Sequence, residues 1–247
     1  MSDLVAETVR YPGHGGDEIV AYDARPLGLA SMPGLAIVHH TPGWDEGSLE
    51  VTRRFAHHGI HAVVPNLYSR VGHLDDPAMA AAVVRDEGGL ADVQLVGDME
   101  ATVRRLRADP TTNGRVGIIG FCSGGRHAYL AACRVKVDAV VDCYGGGVVA
   151  EPGELNDKRP VAPIDLTADL SGPLLGIFGE KDPHVPPAEV ATLEAALTRH
   201  GKTFRTYIYA GAGHAFLSPY NSSFQVAAAK EAWERIFAFL AEALARP

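Results

Sequence analysis

Alternation constrains this chain more than any other feature. Short apolar or β-branched runs lie at Leu35–His40, His61–Leu67, Arg115–Cys122, Val137–Tyr144, Pro173–Gly179 and Phe204–Ala210. Longer stretches with helical spacing separate them, at about Glu46–His58, Gly89–Ala108, Gly125–Arg134, Pro187–Arg199 and Phe224–Ala245. The runs are apolar almost throughout, as in parallel strands covered on both faces. Strand and helix taking turns predict an α/β fold with a mostly parallel sheet, helices on both faces and right-handed crossovers. The first segment differs. Glu7–Tyr11 and Glu18–Asp23 flank the Gly-rich stretch Pro12–Asp17, which predicts an antiparallel hairpin at the sheet edge. Ser69–Gly88 and Val148–Asp169 are the least regular stretches, and connections of that length either cover a ligand site or run as plain surface loops. With no repeat and no low-complexity linker, residues 1–247 read as a single domain.

Composition narrows the function. The chain is 47% hydrophobic and 21% charged, enough apolar residues for a sizeable core. Its net charge of −8, with no basic run, argues against a nucleic-acid partner. Every apolar stretch is too short to span a bilayer, and residues 1–7 lack the basic and apolar regions of a signal peptide. Cys122, Cys133 and Cys143 form an odd set without a CxxC spacing, which favours free thiols in a reducing, cytoplasmic compartment.

The strongest local signal is Gly120-Phe121-Cys122-Ser123-Gly124-Gly125. It follows the run Val116–Ile119 and opens a helix candidate, so it matches G-x-nucleophile-x-G with cysteine as the nucleophile. A nucleophile on a sharp strand-to-helix turn needs glycines two residues either side, because side chains there collide. The helix beyond aims its N–H groups and positive dipole end at the turn, which favours a thiolate and an oxyanion. The plainer alternative is a buried core cysteine.

A thiol needs a base, and the base an orienting acid, in the chain order nucleophile, acid, histidine. Asp182 follows the run Leu174–Phe178 at the expected C-terminal end of a strand, and sits further out than its competitor Glu180. His214 lies in the Gly-rich loop Gly211–Phe216 after the last run. The plainer readings are an Asp-Pro turn or helix cap for Asp182 and a solvated loop residue for His214. The oxyanion donors are expected at the backbone N–H groups of Ser123 and Thr41, since Pro42 has none.

The chain has eleven histidines, yet no metal site is expected. The pairs His39-His40 and His57-His58 are adjacent, and neighbours on a strand point to opposite faces. His57, His58 and His61 are expected instead to cap a helix end before Gly59. Trp44 is a candidate pocket residue, and Trp233 reads as core in the last helix.

These pieces, with Pro65-Asn66-Leu67-Tyr68-Ser69-Arg70, resemble the dienelactone hydrolase family of the α/β-hydrolase superfamily, nearly end to end. The resemblance implies an α/β-hydrolase fold and a Cys122–His214–Asp182 triad. It also implies cofactor-independent cleavage of a small-molecule enol-lactone or ester through a thioester. Two departures stand out. His40 occupies the position of a family glutamate that takes part in thiol activation, and Ser218 stands where the second of two carboxylate-binding arginines is expected. Arg70 matches the first. Tyr68 and Phe216 complete the expected substrate-binding set with His40, Trp44 and Arg70. With half the anion clamp absent, a neutral or less acidic ester or lactone fits better than dienelactone itself. Phosphotriester hydrolysis at the same triad, or a non-catalytic thiol redox sensor, are the rival functions.

Overall fold

The structure, a computed structural model, describes residues 3–73 and 75–245. The readings at residues 1–2, and at Leu74 within the 69–88 stretch, lie outside them. In chain order the elements are β1 (Leu4–Pro12), β2 (Glu18–Pro26), β3 (Met32–Val38), α1 (Glu46–His57) and β4 (His61–Pro65). Next come α2 (Pro77–Asp86), α3 (Asp92–Ala108), β5 (Thr112–Phe121), α4 (Ser123–Arg134) and β6 (Ala139–Cys143). The last are β7 (Leu174–Gly179), α5 (Pro187–Arg199), β8 (Phe204–Tyr209) and α6 (Val226–Ala243).

These strands make one eight-stranded sheet in the order β1-β2-β4-β3-β5-β6-β7-β8. From β4 to β8 every pairing is parallel, and the hairpin of β1 and β2 adds antiparallel strands at one edge. This is the α/β-hydrolase arrangement. Within β3, Leu35 and Ile37 pack into one core while Ala36 and Val38 pack into the other. Ile118 and Ile119 of β5 divide the same way, as do Val140 and Val141 of β6. A strand with helices above and below must be apolar at every position, so the runs lack alternation. Among the described residues, no helix is long and apolar enough to cross a membrane.

Several boundaries depart from the sequence reading. A helix, α2, occupies half of the stretch expected to be irregular. Asp76 caps it through the Met79 N–H at 3.0 Å, and Pro77 takes its first position. The apolar run at residues 35–40 breaks at Val38, which leaves His39 and His40 in the loop beyond β3. The stretch Val148–Asp169 does stay irregular, with short 3-10 turns at Pro152–Glu154 and Pro163–Asp169.

The expected group of capping histidines separates. His58 closes α1, with Nδ1 at 2.9 Å from the Arg54 carbonyl, and stacks on Phe237. His61 lies in β4 instead, fully buried, with Nε2 at 2.9 Å from Asp23 Oδ1. The Asp23 carboxylate, also bonded by Arg105 and Arg25, needs that inward-pointing donor.

Candidate active site

Cys122 sits between β5 and α4 with φ 57° and ψ −125°. Side chains rarely adopt that backbone, so it persists only because its surroundings impose it. Two glycines make it possible by close approach. A Cβ on Gly120 would collide with the Gly124 carbonyl, and one on Gly124 with the Val38 carbonyl. The bend is fastened by Cys122 N–H to the Cys143 carbonyl (3.0 Å) and Gly125 N–H to the Cys122 carbonyl (2.9 Å).

The acid and the imidazole arrive on the loops after β7 and β8. Asp182 is buried. Its Oδ1 accepts the N–H groups of His184 (2.8 Å) and Val185 (3.2 Å), and its Oδ2 lies 2.8 Å from His214 Nδ1. His214 packs edge-on against Tyr144 and His184, and its imidazole acts on the nearby Cys122 thiol. Burial pushes the thiol pKa up, but the His214 imidazole, the Ser123 N–H and Thr41 outweigh it, so the net shift is downward. The reciprocal holds at His214. Burial lowers its pKa, and contact with Cys122 and Asp182 turns the net shift upward. Both shifts favour a thiolate–imidazolium pair.

Thr41 reaches the elbow from the loop after β3, where its Oγ1–H donates to Ser123 Oγ at 3.0 Å. Ser123 opens α4, so its N–H has no acceptor within the helix. The two residues expected to supply the oxyanion donors, one in the loop after β3 and one at the start of α4, are thus in contact through their hydroxyls. Cys133 and Cys143 are buried, as read from the sequence. Burial pushes the Cys133 thiol up to about 12 and that of Cys143 well above its usual range. Iodoacetamide is therefore expected to alkylate one thiol in the folded protein, Cys122, and all three cysteines after denaturation. Because the Cys122 pKa is lowered, the thiolate persists as pH falls, and its alkylation should inflect below the ordinary thiol value of about 8.5. An inflection at or above that value, measured by mass spectrometry against pH, contradicts the assignment.

A cavity of about 290 Å³ opens on Cys122. Ile37, Val51, Phe121, Tyr144, Leu217 and Trp233 form its apolar wall. His40, Asp45, Glu50, Arg54 and Tyr220 form the polar side. His40 is thus a cavity residue, as expected, and Ser218 lies on the wall too. Trp233 is core, as expected, and also a wall.

Four of the expected substrate-binding residues do not line this cavity. Arg70 bonds both oxygens of Asp98 (2.7 and 2.9 Å), Asp17 (2.8 Å) and the His14 carbonyl (3.1 Å). Asp98 is fully buried, so turning Arg70 to a substrate would strand a buried carboxylate. Trp44 donates its indole N–H to the Val64 carbonyl at 3.1 Å. Phe216 is fully buried between Tyr144 and Tyr209, beneath the His214 loop. Tyr68 donates its O–H to the Thr41 carbonyl at 3.2 Å and packs on His39, so it braces the oxyanion loop.

The sequence reading missed Asp45, Glu50 and Arg54. Glu50 and Arg54 carry the i, i+4 spacing of one helix face and form an ion pair at 2.8 Å. Arg54 also lies 4.6 Å above the Trp233 ring, and Glu50 accepts the Tyr220 O–H at 3.1 Å. The signal for Asp45 was present in the sequence. Asp before a helix, three residues ahead of Ser48, is a capping position.

Comparison with known proteins agrees with this architecture. A Methylorubrum extorquens protein that carries the provisional name carboxymethylenebutenolidase is 33% identical over 236 residues, covering 94% of this chain and 79% of the relative. The crystal structure of a Klebsiella pneumoniae protein provisionally described as a dienelactone hydrolase superposes with a TM-score of 0.87 at 30% identity. It covers 97% of this chain and 99% of that one. A dienelactone hydrolase-like promiscuous phosphotriesterase from metagenomic libraries shares the fold, with a TM-score of 0.79 at 20% identity over 98% of this chain and 99% of its own. Residues 19–244 match the dienelactone hydrolase family, and the chain belongs to that family.

Proposed function

We propose that this hydrolase cleaves neutral or weakly acidic carboxylic esters and lactones through a thioester on Cys122, acting as one domain in the cytoplasm. The observation that carries the reading is the half-buried thiol on its positive-φ bend, its pKa lowered by an imidazole that a buried carboxylate orients at 2.8 Å. The thiolate adds to the carbonyl carbon, and the Ser123 and Thr41 N–H groups receive the oxyanion. Collapse expels the alkoxide, which takes its proton from His214. Water then adds to the thioester carbonyl, the C–S bond breaks, and the thiolate returns.

The substrate class follows from the charges. Arg54 is the one arginine on the cavity wall among the described residues, and Glu50 and Trp233 already engage it. Arg70 is bound to Asp98 and Asp17. A carboxylate clamp thus lacks both its members, and an apolar acyl group suits the remaining wall. The relative's name, carboxymethylenebutenolidase, supports lactones as substrates of this site. Free thiols support the reducing compartment.

The test is a quench of the protein with p-nitrophenyl butyrate, followed by intact and peptide mass spectrometry. The expected result is one equivalent of p-nitrophenolate in a burst and a butyryl adduct on Cys122. Turnover without any adduct at that residue refutes the reading. Parallel assays with a p-nitrophenyl phosphotriester separate carboxylic from phosphoric ester cleavage.

A further inference from the structure

The chain leaves β3 through two adjacent histidines with different fates. His39 is buried, and both its ring nitrogens are used. Nδ1–H donates to the His40 carbonyl at 2.9 Å, and Nε2 accepts the Leu67 N–H at 3.2 Å. Like His39, His40 lines the cavity that opens on Cys122. Its Nε2 lies 2.8 Å from Asp45 Oδ2, and among the described residues no protein group is bonded to Nδ1.

Asp45 divides its two oxygens. Oδ1 accepts the Ser48 N–H at 2.9 Å and caps α1, while Oδ2 takes His40. The cap fixes the carboxylate on a rigid element. Burial pushes the Asp45 pKa up, but the contacts with His40 and Ser48 prevail and hold it down to about 2. An ionised carboxylate at Nε2 makes that the protonated nitrogen, so Nδ1 carries the lone pair. Asp182 fixes His214 by the same logic, with the ring reversed. A second carboxylate–imidazole pair therefore lines the cavity that opens on the thiol. The Thr41–Ser123 hydroxyl bond fastens the His40 loop to the elbow. The other charged groups on this side of the cavity, Glu50 and Arg54, are paired with each other.

We propose that His40, oriented by Asp45, is a second general base of this site and accepts the proton of the water that hydrolyses the acyl-enzyme. The proposal rests on the thioester reading above and assigns its second half to a different base. The water oxygen bonds to the thioester carbonyl carbon as one proton passes to His40 Nδ1. The tetrahedral adduct then collapses, the C–S bond breaks, sulfur leaves as thiolate and the carboxylic acid departs. The proton on His40 passes through solvent to His214, which lost its own to the alkoxide during acylation. The thiolate–imidazolium pair is thereby restored. His40 is a catalytic residue in this scheme, and Asp45 a positioning residue.

Asp45→Asn tests the tautomer without removing the cap. Asparagine also caps helices, and its oxygen stays on the Ser48 N–H. Its NH2 then faces His40 Nε2, which forces the hydrogen onto Nδ1 and removes the lone pair. Stopped-flow with p-nitrophenyl butyrate separates acylation, the burst, from deacylation, the steady state. Deacylation is expected to slow by about 10- to 100-fold, the usual contribution of a positioned base. The burst rate is expected to stay within about twofold, since acylation does not use His40. His40→Ala is expected to behave alike, and added imidazole to restore its deacylation. Butyryl-Cys122 should accumulate in both variants.

An adduct that turns over at the wild-type rate in both variants overturns the inference alone. So does an equal loss of both phases without imidazole rescue, which is the mark of a structural tie. Absence of any Cys122 adduct in the wild type overturns the thioester reading, and this inference with it.

Discussion

Alanine at Cys122 is expected to lower kcat/KM for p-nitrophenyl esters by about four orders of magnitude or more, the scale on which removing a nucleophile disables a triad. The sulfur is the only group in the proposed scheme that forms a bond to the substrate. Without it the remaining groups can polarise a carbonyl and orient a water, which leaves a small residual rate. The substitution also isolates chemistry from folding. Alanine is smaller than cysteine and keeps the Cβ that the bend already accommodates, with φ at 57°. The glycines at 120 and 124 still clear the Gly124 and Val38 carbonyls. Circular dichroism and thermal unfolding should therefore match the wild type while turnover falls. A folded variant that retains activity within about tenfold excludes Cys122 as nucleophile.

The legibility of this site in the sequence follows from range. The elbow is a local object. Gly120 and Gly124 are required by contacts four residues apart or with the adjacent strand, so the string itself carries the geometry. Asp182 and His214 were readable because strand ends in a parallel sheet converge on one edge, and chain order fixes which loops meet there. Long-range pairing is what the sequence conceals. Arg70 stands in a piece that resembles the family's anion site, yet Asp98 of α3 and Asp17 of the hairpin turn claim its guanidinium. Neither partner is near Arg70 in sequence. Tyr68, Trp44 and Phe216 were recognised as residues close to the site, but their polar atoms or buried rings hold its loops rather than its cavity. α2 was missed for another reason. Its Ala-rich sequence shows weak apolar periodicity, and the Asp76-Pro77 start signal was the stronger clue.

The departures from the family pattern act together. His40 stands on the cavity wall where the resemblance expects a carboxylate, and the carboxylate of Asp45 lies one step further back, 2.8 Å from its Nε2. Ser218 on the wall brings no cation. Arg54 is a cation, but its ion pair with Glu50 and its stacking on Trp233 must be broken before it can bind an anion. These features are the ground for the proposed preference for neutral acyl groups, since an anion entering the cavity would meet Asp45 and Glu50 with Arg54 already paired.

Asparagine at Asp182 is expected to produce the second large loss, about 10³- to 10⁴-fold in kcat/KM, through the tautomer of His214 alone. Asp182 Oδ1 is committed to the His184 and Val185 N–H groups, so the amide oxygen must occupy that place. The NH2 then faces His214 Nδ1, which can only accept. The ring hydrogen moves to Nε2, toward the sulfur, where the site needs a lone pair to take the thiol proton. Burial holds this arrangement in place, since the Asp182 side chain is closed off from water that could satisfy the amide differently. The thiol responds as well. Losing the carboxylate removes a contact that raises the His214 pKa, so the imidazolium is less populated and the Cys122 pKa moves back up. Iodoacetamide alkylation of Cys122 at pH 6 should therefore slow with turnover, and both should recover as pH rises through the thiol's own ionisation. A variant that loses turnover but alkylates at the wild-type rate at pH 6 would show that Asp182 acts on something other than the imidazole.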